Sequence, residues 1–369
     1  MEDQHVALDP LTMVCLTLEH LKALSLAQYE FRLAALTEGE LPPFLGSTFR
    51  GSFGYALKAV ACSMPHQDCT RCLLVERCLY PRLFEPRATQ PAGLLKQQQN
   101  APRPFIFEPP LPGQKYSALP FNAEIRRGPA TDGKSNGQKR LFAEPLRFKA
   151  GDELRFGLTL IGSAIEELPY IVYAISLMAR HGFGAQRTPF ALLAVSAVDG
   201  ATTRLKIYTP EMAHIEPHDV CRNLSEMVKD RLAQLVPTDT LRLLFLTPMR
   251  IRVQKGVQER LHFEQLVKSL SLRLTMLAQT YSAISLDYDY QALLAQARTA
   301  ITQTESLWQQ ELKRYSNRQD KKIEQDGFMG EAVFAGQAVS DLLPLLVAGE
   351  FLHVGSGTAF GLGRYHIAA

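Results

Sequence analysis

Four of the chain's six cysteines, Cys62, Cys69, Cys72 and Cys78, fall within seventeen residues with the spacing C-x6-C-x2-C-x5-C. A C-x2-C pair is a chelating spacing, and two further thiols complete a tetrahedral set. Structural Zn²⁺ is the first reading of this set. A [4Fe–4S] cluster, which also takes four thiolates, is the alternative. Four thiolates saturate a zinc ion and leave no position open for water, so such a site pins a loop rather than performing chemistry. A second constellation lies near residue 360. Gly355, Gly357, Gly361 and Gly363 fall within nine residues and lead directly into Arg364. Glycine adopts positive φ without steric cost, so backbone N–H groups can converge into an anion nest beside a planar cation. The same residues also suit a plain tight connection between a helix and a strand. That loop has no Gly-Lys-Ser/Thr and no helix after it, so it does not read as a P-loop or a Rossmann fingerprint, and no nucleotide cofactor is expected. A third group, Arg314, Arg318, Lys321 and Lys322 with Tyr315 interleaved, has the cations and the stacking ring that RNA recognition uses. The same pattern fits a solvated face of alternating charge.

The chain of 369 residues is 46% hydrophobic and 21% charged, which describes a globular protein long enough for two domains. A net charge of +3 is compatible with nucleic acid without being diagnostic. No apolar run reaches the ~18 residues of a spanning helix, and MEDQHVALDP lacks a basic leader, so a cytoplasmic protein with no membrane contact is expected. In that setting clustered cysteines read as metal ligands more than as disulfides.

The positioning elements follow from periodicity. Tyr29–Leu36 alternates as a strand, Thr48–Cys62 has helical spacing, and Phe105–Glu108 and Leu154–Ile161 read as strands. Glu166–Arg180 reads as an apolar helix and Pro189–Val198 as a strand. This βαββαβ order is ferredoxin-like and RRM-like. After a connector over 199–240, with a helix near Asn223–Leu235, the pattern restarts. A strand over 241–253 bent at Pro248, a helix over Phe263–Tyr281, a mostly helical Tyr288–Glu311 and a strand Phe328–Phe334 follow. A helix over Gln337–Gly349, stopped by Gly349, then precedes a short strand at Phe351–Val354 and another at Arg364–Ile367. The predicted fold class is α+β, with tandem ferredoxin-like domains over 1–198 and 241–369 and a cysteine-rich insertion in the first. Glu85–Arg103 and the basic stretch Arg126–Arg140 are predicted loops.

The order Gly355-Ser-Gly-Thr-Ala-Phe-Gly-Leu-Gly-Arg-Tyr365 resembles the glycine-rich loop of the RAMP superfamily of CRISPR-associated proteins. In particular it is similar to the precursor-crRNA-processing endoribonucleases, the sixth Cas family. The resemblance runs from about Tyr29 to Ile367. It also rests on Leu41-Pro-Pro-Phe-Leu-Gly-Ser-Thr-Phe-Arg-Gly-Ser-Phe-Gly54, on Leu246-Thr-Pro-Met-Arg-Ile251, and on Tyr315-Ser-Asn-Arg-Gln319 with Gly327-Phe-Met-Gly330. The cysteine cluster occurs at this place in one branch of these proteins. The resemblance implies binding of CRISPR repeat RNA and its cleavage without metal, by 2′-OH attack that leaves a 2′,3′-cyclic phosphate. It also implies RNA contacts by the glycine loop, Arg364 and the basic run. Relatives often place a His in or before the first helix; here that helix has none. Arg50, Tyr55 and Lys58 on the helix, His66 in the cysteine loop and His181 beside two glycines are the candidate catalytic groups. The alternative is a non-catalytic RAMP subunit that holds guide RNA among other Cas effector subunits.

Overall fold

The computed structural model describes residues 16–64, 68–87, 101–116, 142, 144–200, 203–216, 220–236, 239–253, 256–257, 261–316, 321–324 and 326–368. The predicted loop at Arg126–Arg140 and most of that at Glu85–Arg103 lie outside these residues, as do His66 and Arg318.

The first half begins with β1 (Ser25–Ala35), whose alternate residues Ala27, Tyr29, Phe31, Leu33 and Ala35 enter one core. Helix α1 (Gly46–Ala61) buries Phe49, Phe53, Ala56 and Leu57 against the same core. Then come β2 (Phe105–Glu108), β3 (Glu153–Ile161), α2 (Leu168–His181), β4 (Phe190–Asp199) and β5 (Thr203–Tyr208). The antiparallel sheet runs β2-β3-β1-β4-β5, the ferredoxin-like order with one strand added at its edge, and a two-residue strand, Arg222–Asn223, also pairs with the start of β1. Because β5 pairs with β4, the first half extends past residue 198 into the stretch read as connector. Its core is rich in phenylalanine, with Phe49 and Phe156 rings 4.5 Å apart.

Helix α3 (Leu224–Leu232) starts where the Asn223 side chain accepts from the Glu226 N–H, an ordinary N-cap. The second half comprises β6 (Thr240–Met249), α4 (Phe263–Tyr281), α5 (Tyr290–Ala297), β7 (Ile301–Gln310), β8 (Gly327–Ala335), α6 (Leu343–Leu352) and β9 (Tyr365–Ala368). Its sheet runs β7-β8-β6-β9, again antiparallel and again in the ferredoxin-like order. Leu266, Leu270, Leu274 and Leu277 of α4 fill the second core as the spacing predicts. Leu26, Ile106 and Ile161, on the other face of the first sheet, join that second core and bind the halves together.

Four expectations are corrected. Tyr288–Glu311 is not mostly helical: α5 is short, and Ile301–Gln310 is a strand because it pairs along β8. Its alternation is invisible in the sequence because residues 301–306 are all exposed. Gly349 does not stop its helix; a Cβ there would lie 2.1 Å from the Tyr365 hydroxyl, so the glycine makes room for a neighbouring ring. The helix continues to Leu352, and the strand expected at Phe351–Val354 is absent. The strand expected over 241–253 ends at Met249, and Arg252–Val253 forms a separate short hairpin with Gly256–Val257. Among the described residues no helix is long and apolar enough to cross a membrane.

Candidate nucleic-acid interface

The glycine loop crosses between the two halves. Its four glycines all have φ between 71° and 85°. At Gly363 a Cβ would meet the Val354 carbonyl at 1.8 Å, and at Gly361 it would meet the Phe107 carbonyl of β2 at 2.6 Å. Only glycine meets both demands, since the chain is left-handed and touches another backbone at these points. The loop's donors turn inward. Ser356 N–H donates to Arg250 O, Gly361 N–H to Thr358 O, Gly363 N–H to Pro248 O and Arg364 N–H to Thr247 Oγ1, at 2.8–3.1 Å. Thr247 in turn donates to Gly361 O at 2.8 Å. These N–H groups hold the loop to β6 and to itself, so they do not form an open anion nest. Gly355, Ser356 and Gly357 are its half-exposed part.

The Arg364 side chain, expected at a phosphate, is buried beside Glu108, with Nη2 3.9 Å from Oε2. Glu108 also accepts from the Thr159 hydroxyl at 2.8 Å, and Thr159 accepts from Gln28 at 3.3 Å. Burial pushes the Glu108 carboxyl up, while Arg364 and then Thr159 pull it back. On the loop's other flank His353 is buried with φ 56°. Its Nδ1 lies 3.2 Å from Leu362 O. Burial, and then Arg364 and Arg273, hold His353 well below the ordinary imidazole range. The ring is therefore neutral and donates to Leu362 O. Arg273 donates to Leu352 O at 2.8 Å, and burial pulls its guanidinium down to about 10, which keeps it charged at neutral pH.

The N-terminus of α1 abuts this loop: a Cβ on Gly46 would lie 1.8 Å from Phe360 O. One turn on, the Arg50 guanidinium lies 4.0 Å from the Phe84 ring and 5.2 Å from the Phe360 ring, so a cation is held between the helix layer and the loop. Tyr55 is 65% exposed on the same helix. Lys58 turns elsewhere, toward the cysteines, with its Nζ 5.8 Å from the Tyr80 ring. His181 is exposed at the end of α2. The structure thus brings Arg50 to the loop and Lys58 to the cysteine lobe, and leaves Tyr55 and His181 on the surface.

The basic run is a hairpin, Lys313–Ser316 paired with Lys321–Glu324, with Tyr315 opposite Lys322 and Ser316 opposite Lys321. Its root, Leu312, packs with Phe44, Phe360 and Leu362. One small apolar cluster therefore joins the hairpin, the glycine loop and the entrance to α1.

Cys62, Cys69, Cys72 and Cys78 line one cavity of about 20 Å³, together with Lys58. Burial pushes the Cys69 thiol up, and Lys58 opposes it. Four thiols on one cavity suit a tetrahedral thiolate ion as a donor set. As placed, no three His, Cys, Asp or Glu side chains among the described residues are gathered into a metal-ligand set.

Sequence reading missed Glu108, Thr159, Thr247 and Arg273. The available signal was Glu108 itself, an acid inside the apolar strand Phe105-Ile-Phe-Glu; burial of both sheet faces requires a partner for it.

Residues 24–220 match the family model AF_1859_N, an N-terminal domain, and residues 243–365 match the model described as CRISPR-associated endoribonuclease Cas6. An uncharacterised protein of Archaeoglobus fulgidus is 25% identical over 333 residues, covering 89% of this chain and 92% of that protein. A partial Cas6-RT-Cas1–Cas2 complex superimposes with a TM-score of 0.50 at 12% identity, over 94% of this chain and 46% of that one, a likeness of fold. Thermus thermophilus Cas6 gives a TM-score of 0.45 at 17% identity, over 94% of this chain and 99% of that one. The AF_1859 N-terminal domain model spans more than half of the chain, so the chain belongs to that family, and its second half, over residues 243–365, is similar to the CRISPR-associated Cas6 model.

Proposed function

We propose that the protein binds the repeat RNA of a CRISPR transcript and cleaves it at one position. The observation that carries this reading is the convergence of α1, the glycine loop and the basic hairpin on one cluster, within a chain whose residues 243–365 match the Cas6 model. The hairpin supplies phosphate cations and a stacking ring, and Gly355–Gly357 the accessible edge of the loop. The reaction is an intramolecular transesterification. The 2′-oxygen attacks its own phosphorus as its proton leaves to a base, and the 5′-oxygen departs with a proton from an acid. The products are a 2′,3′-cyclic phosphate and a 5′-OH, and neither water nor metal enters the balance. Arg50 offsets the charge gathering on the phosphoryl oxygens. Tyr55 is the proton-transfer group on the exposed face of α1. His181, His66 and Lys58 are the next groups to test.

A second reading, an RNA-holding subunit without cleavage, draws on the absence of a histidine from α1. Incubation with cognate repeat RNA in EDTA, followed by end-group analysis, separates the two. A cyclic phosphate at one position supports the nuclease; tight binding with intact RNA supports the holder. Lack of binding by folded protein sinks both. Structural Zn²⁺ on Cys62, Cys69, Cys72 and Cys78 and assembly with other Cas proteins belong to the same proposal. They are tested by metal analysis of the purified protein and by co-purification with named Cas subunits.

A further inference from the structure

Each half contains, in the same topological place, a helix, a turn with several glycines and a strand. In the second half these are α6, Gly355–Gly363 and β9; in the first they are α2, Gly182–Arg187 and β4. The first turn is closed by two hydrogen bonds, in which the N–H groups of Phe183 and Thr188 each donate to the other's carbonyl at 2.9 Å. Phe183 is buried, its ring 5.4 Å from those of Phe49 and Phe190. At Gly182, with φ 83°, a Cβ would lie 2.1 Å from the Arg187 carbonyl, so the turn closes on its own backbone. Arg187 holds φ 50°, which a non-glycine residue seldom takes. From this anchored base Ala185, Gln186 and Arg187 are exposed.

Both turns meet the start of α1. Phe49, in the helix's first turn, packs on Phe183, and a Cβ on Gly184 would lie 3.1 Å from Leu41 Cδ2 in the segment that leads into the helix. From the other turn, the Phe360 carbonyl closes on Gly46. Arg180 and His181 are exposed beside Arg187. A helix C-terminus favours cations in its last turn, which accounts for Arg180 and His181 without any ligand. It does not account for Arg187, which lies beyond the helix. The acid that borders the turn is Glu40, whose carbonyl would lie 3.1 Å from a Gly184 Cβ, and its carboxylate is paired with Arg147 at 3.0 Å. Among the described residues Arg180 and Arg187 stand in no ion pair. Two uncompensated guanidiniums therefore flank the entrance of the helix that carries Arg50, and a guanidinium fork matches phosphate oxygens.

We propose that the Gly182–Arg187 turn is a second phosphate-binding arm of the RNA site, in which Arg187 and Arg180 hold the sugar-phosphate backbone at the entrance of α1. The arm rests on the reading of the protein as a binder of repeat RNA. Its contacts are to backbone charge, so they fix the position of the RNA and add affinity without reading bases.

Fluorescence anisotropy of the full chain with labelled cognate repeat RNA, over about 0.05 to 0.3 M salt, tests this. Arg187→Gln is expected to weaken binding about five- to tenfold near 0.1 M salt. It also lowers the slope of log K against log salt by about one, as loss of one phosphate contact does. Arg180→Gln acts in the same direction, and the double variant combines the two losses. Arg187→Lys keeps the charge and with it the slope. Both side chains are exposed, so the variants unfold at the wild-type temperature. Variants that match wild type, or weaker binding with the salt slope intact, overturn the arm and leave the RNA reading standing. No binding by folded wild-type protein overturns both.

Discussion

Arg50 sits between Phe84 and Phe360, and this explains how one cation can be both fixed and near the surface. Contact with two rings helps to fix the guanidinium plane. If Arg50 faces the scissile phosphate, Arg50→Ala slows cleavage by about two to three orders of magnitude while repeat RNA still binds, as loss of one preorganised donor does elsewhere. Single-turnover rates beside equilibrium binding check this; equal losses in both would make Arg50 a binding residue. Arg50→Lys recovers little, because a point charge lacks the stacked plane. His353 makes a prediction about pH. Its folded value is depressed, so the unfolded chain takes up the proton first as pH falls below the ordinary imidazole value. Its stability contribution is fully present above that value. It is lost toward the depressed folded value, at up to about 1.4 kcal/mol per pH unit. Thermal unfolding from pH 8 to 5 measures this slope. His353→Asn, a residue that tolerates positive φ, flattens it. Sequence reading put Arg50 on the right helix and had no means of seeing Phe84 or Phe360 beside it.

Among the elements, the glycine loop acts as a fastener. It touches β2 through Gly361 and, through Gly363, the Val354 backbone just past the end of α6, while Phe360 touches Gly46 of α1. Gly361→Val therefore separates β2 from the loop, and Gly357→Val strains the left-handed turn on the half-exposed side. The first variant is expected to lose thermal stability. The second is expected to lose repeat RNA affinity more than stability, read by filter binding at matched folded fraction. The Arg231–Glu350 pair fixes the strand that follows. Arg231→Met strands a buried carboxylate and destabilises by about 3–5 kcal/mol in denaturant titration, whereas Glu350→Gln keeps an acceptor for Ile367 and costs less. Helices α1, α2 and α4 were legible because each buries a continuous apolar stripe. Strand β7 was not, because its residues 301–306 are exposed on both faces and so carry no alternation. The Gly349 helix continuation was hidden for a different reason: the Tyr365 ring that needs the glycine is far away in sequence.

At the scale of the whole molecule, the cysteine lobe and the RNA elements meet on α1. Lys58 lines the cysteine cavity, and Arg50, two turns earlier, reaches the glycine loop. If the four thiols hold Zn²⁺, metal removal frees the C-terminal end of α1. Hydrogen exchange is then expected to rise over residues 62–84 and the last turn of α1, with β6, α4 and β9 unchanged. Protection that is insensitive to metal would assign the thiols no structural ion. Composition, the first βαββαβ pattern, the cysteine spacing and the glycine order were determined by the sequence alone, because local periodicity and backbone demands leave marks at short range. The tertiary structure alone decided the direction of Arg364, which turns inward to Glu108 rather than outward. It also decided the inward donors of the glycine loop and the grouping of hairpin, loop and α1 around Leu312 and Phe360. Those outcomes depend on which distant backbone closes on which side chain, and a contact of that kind has no periodicity to read.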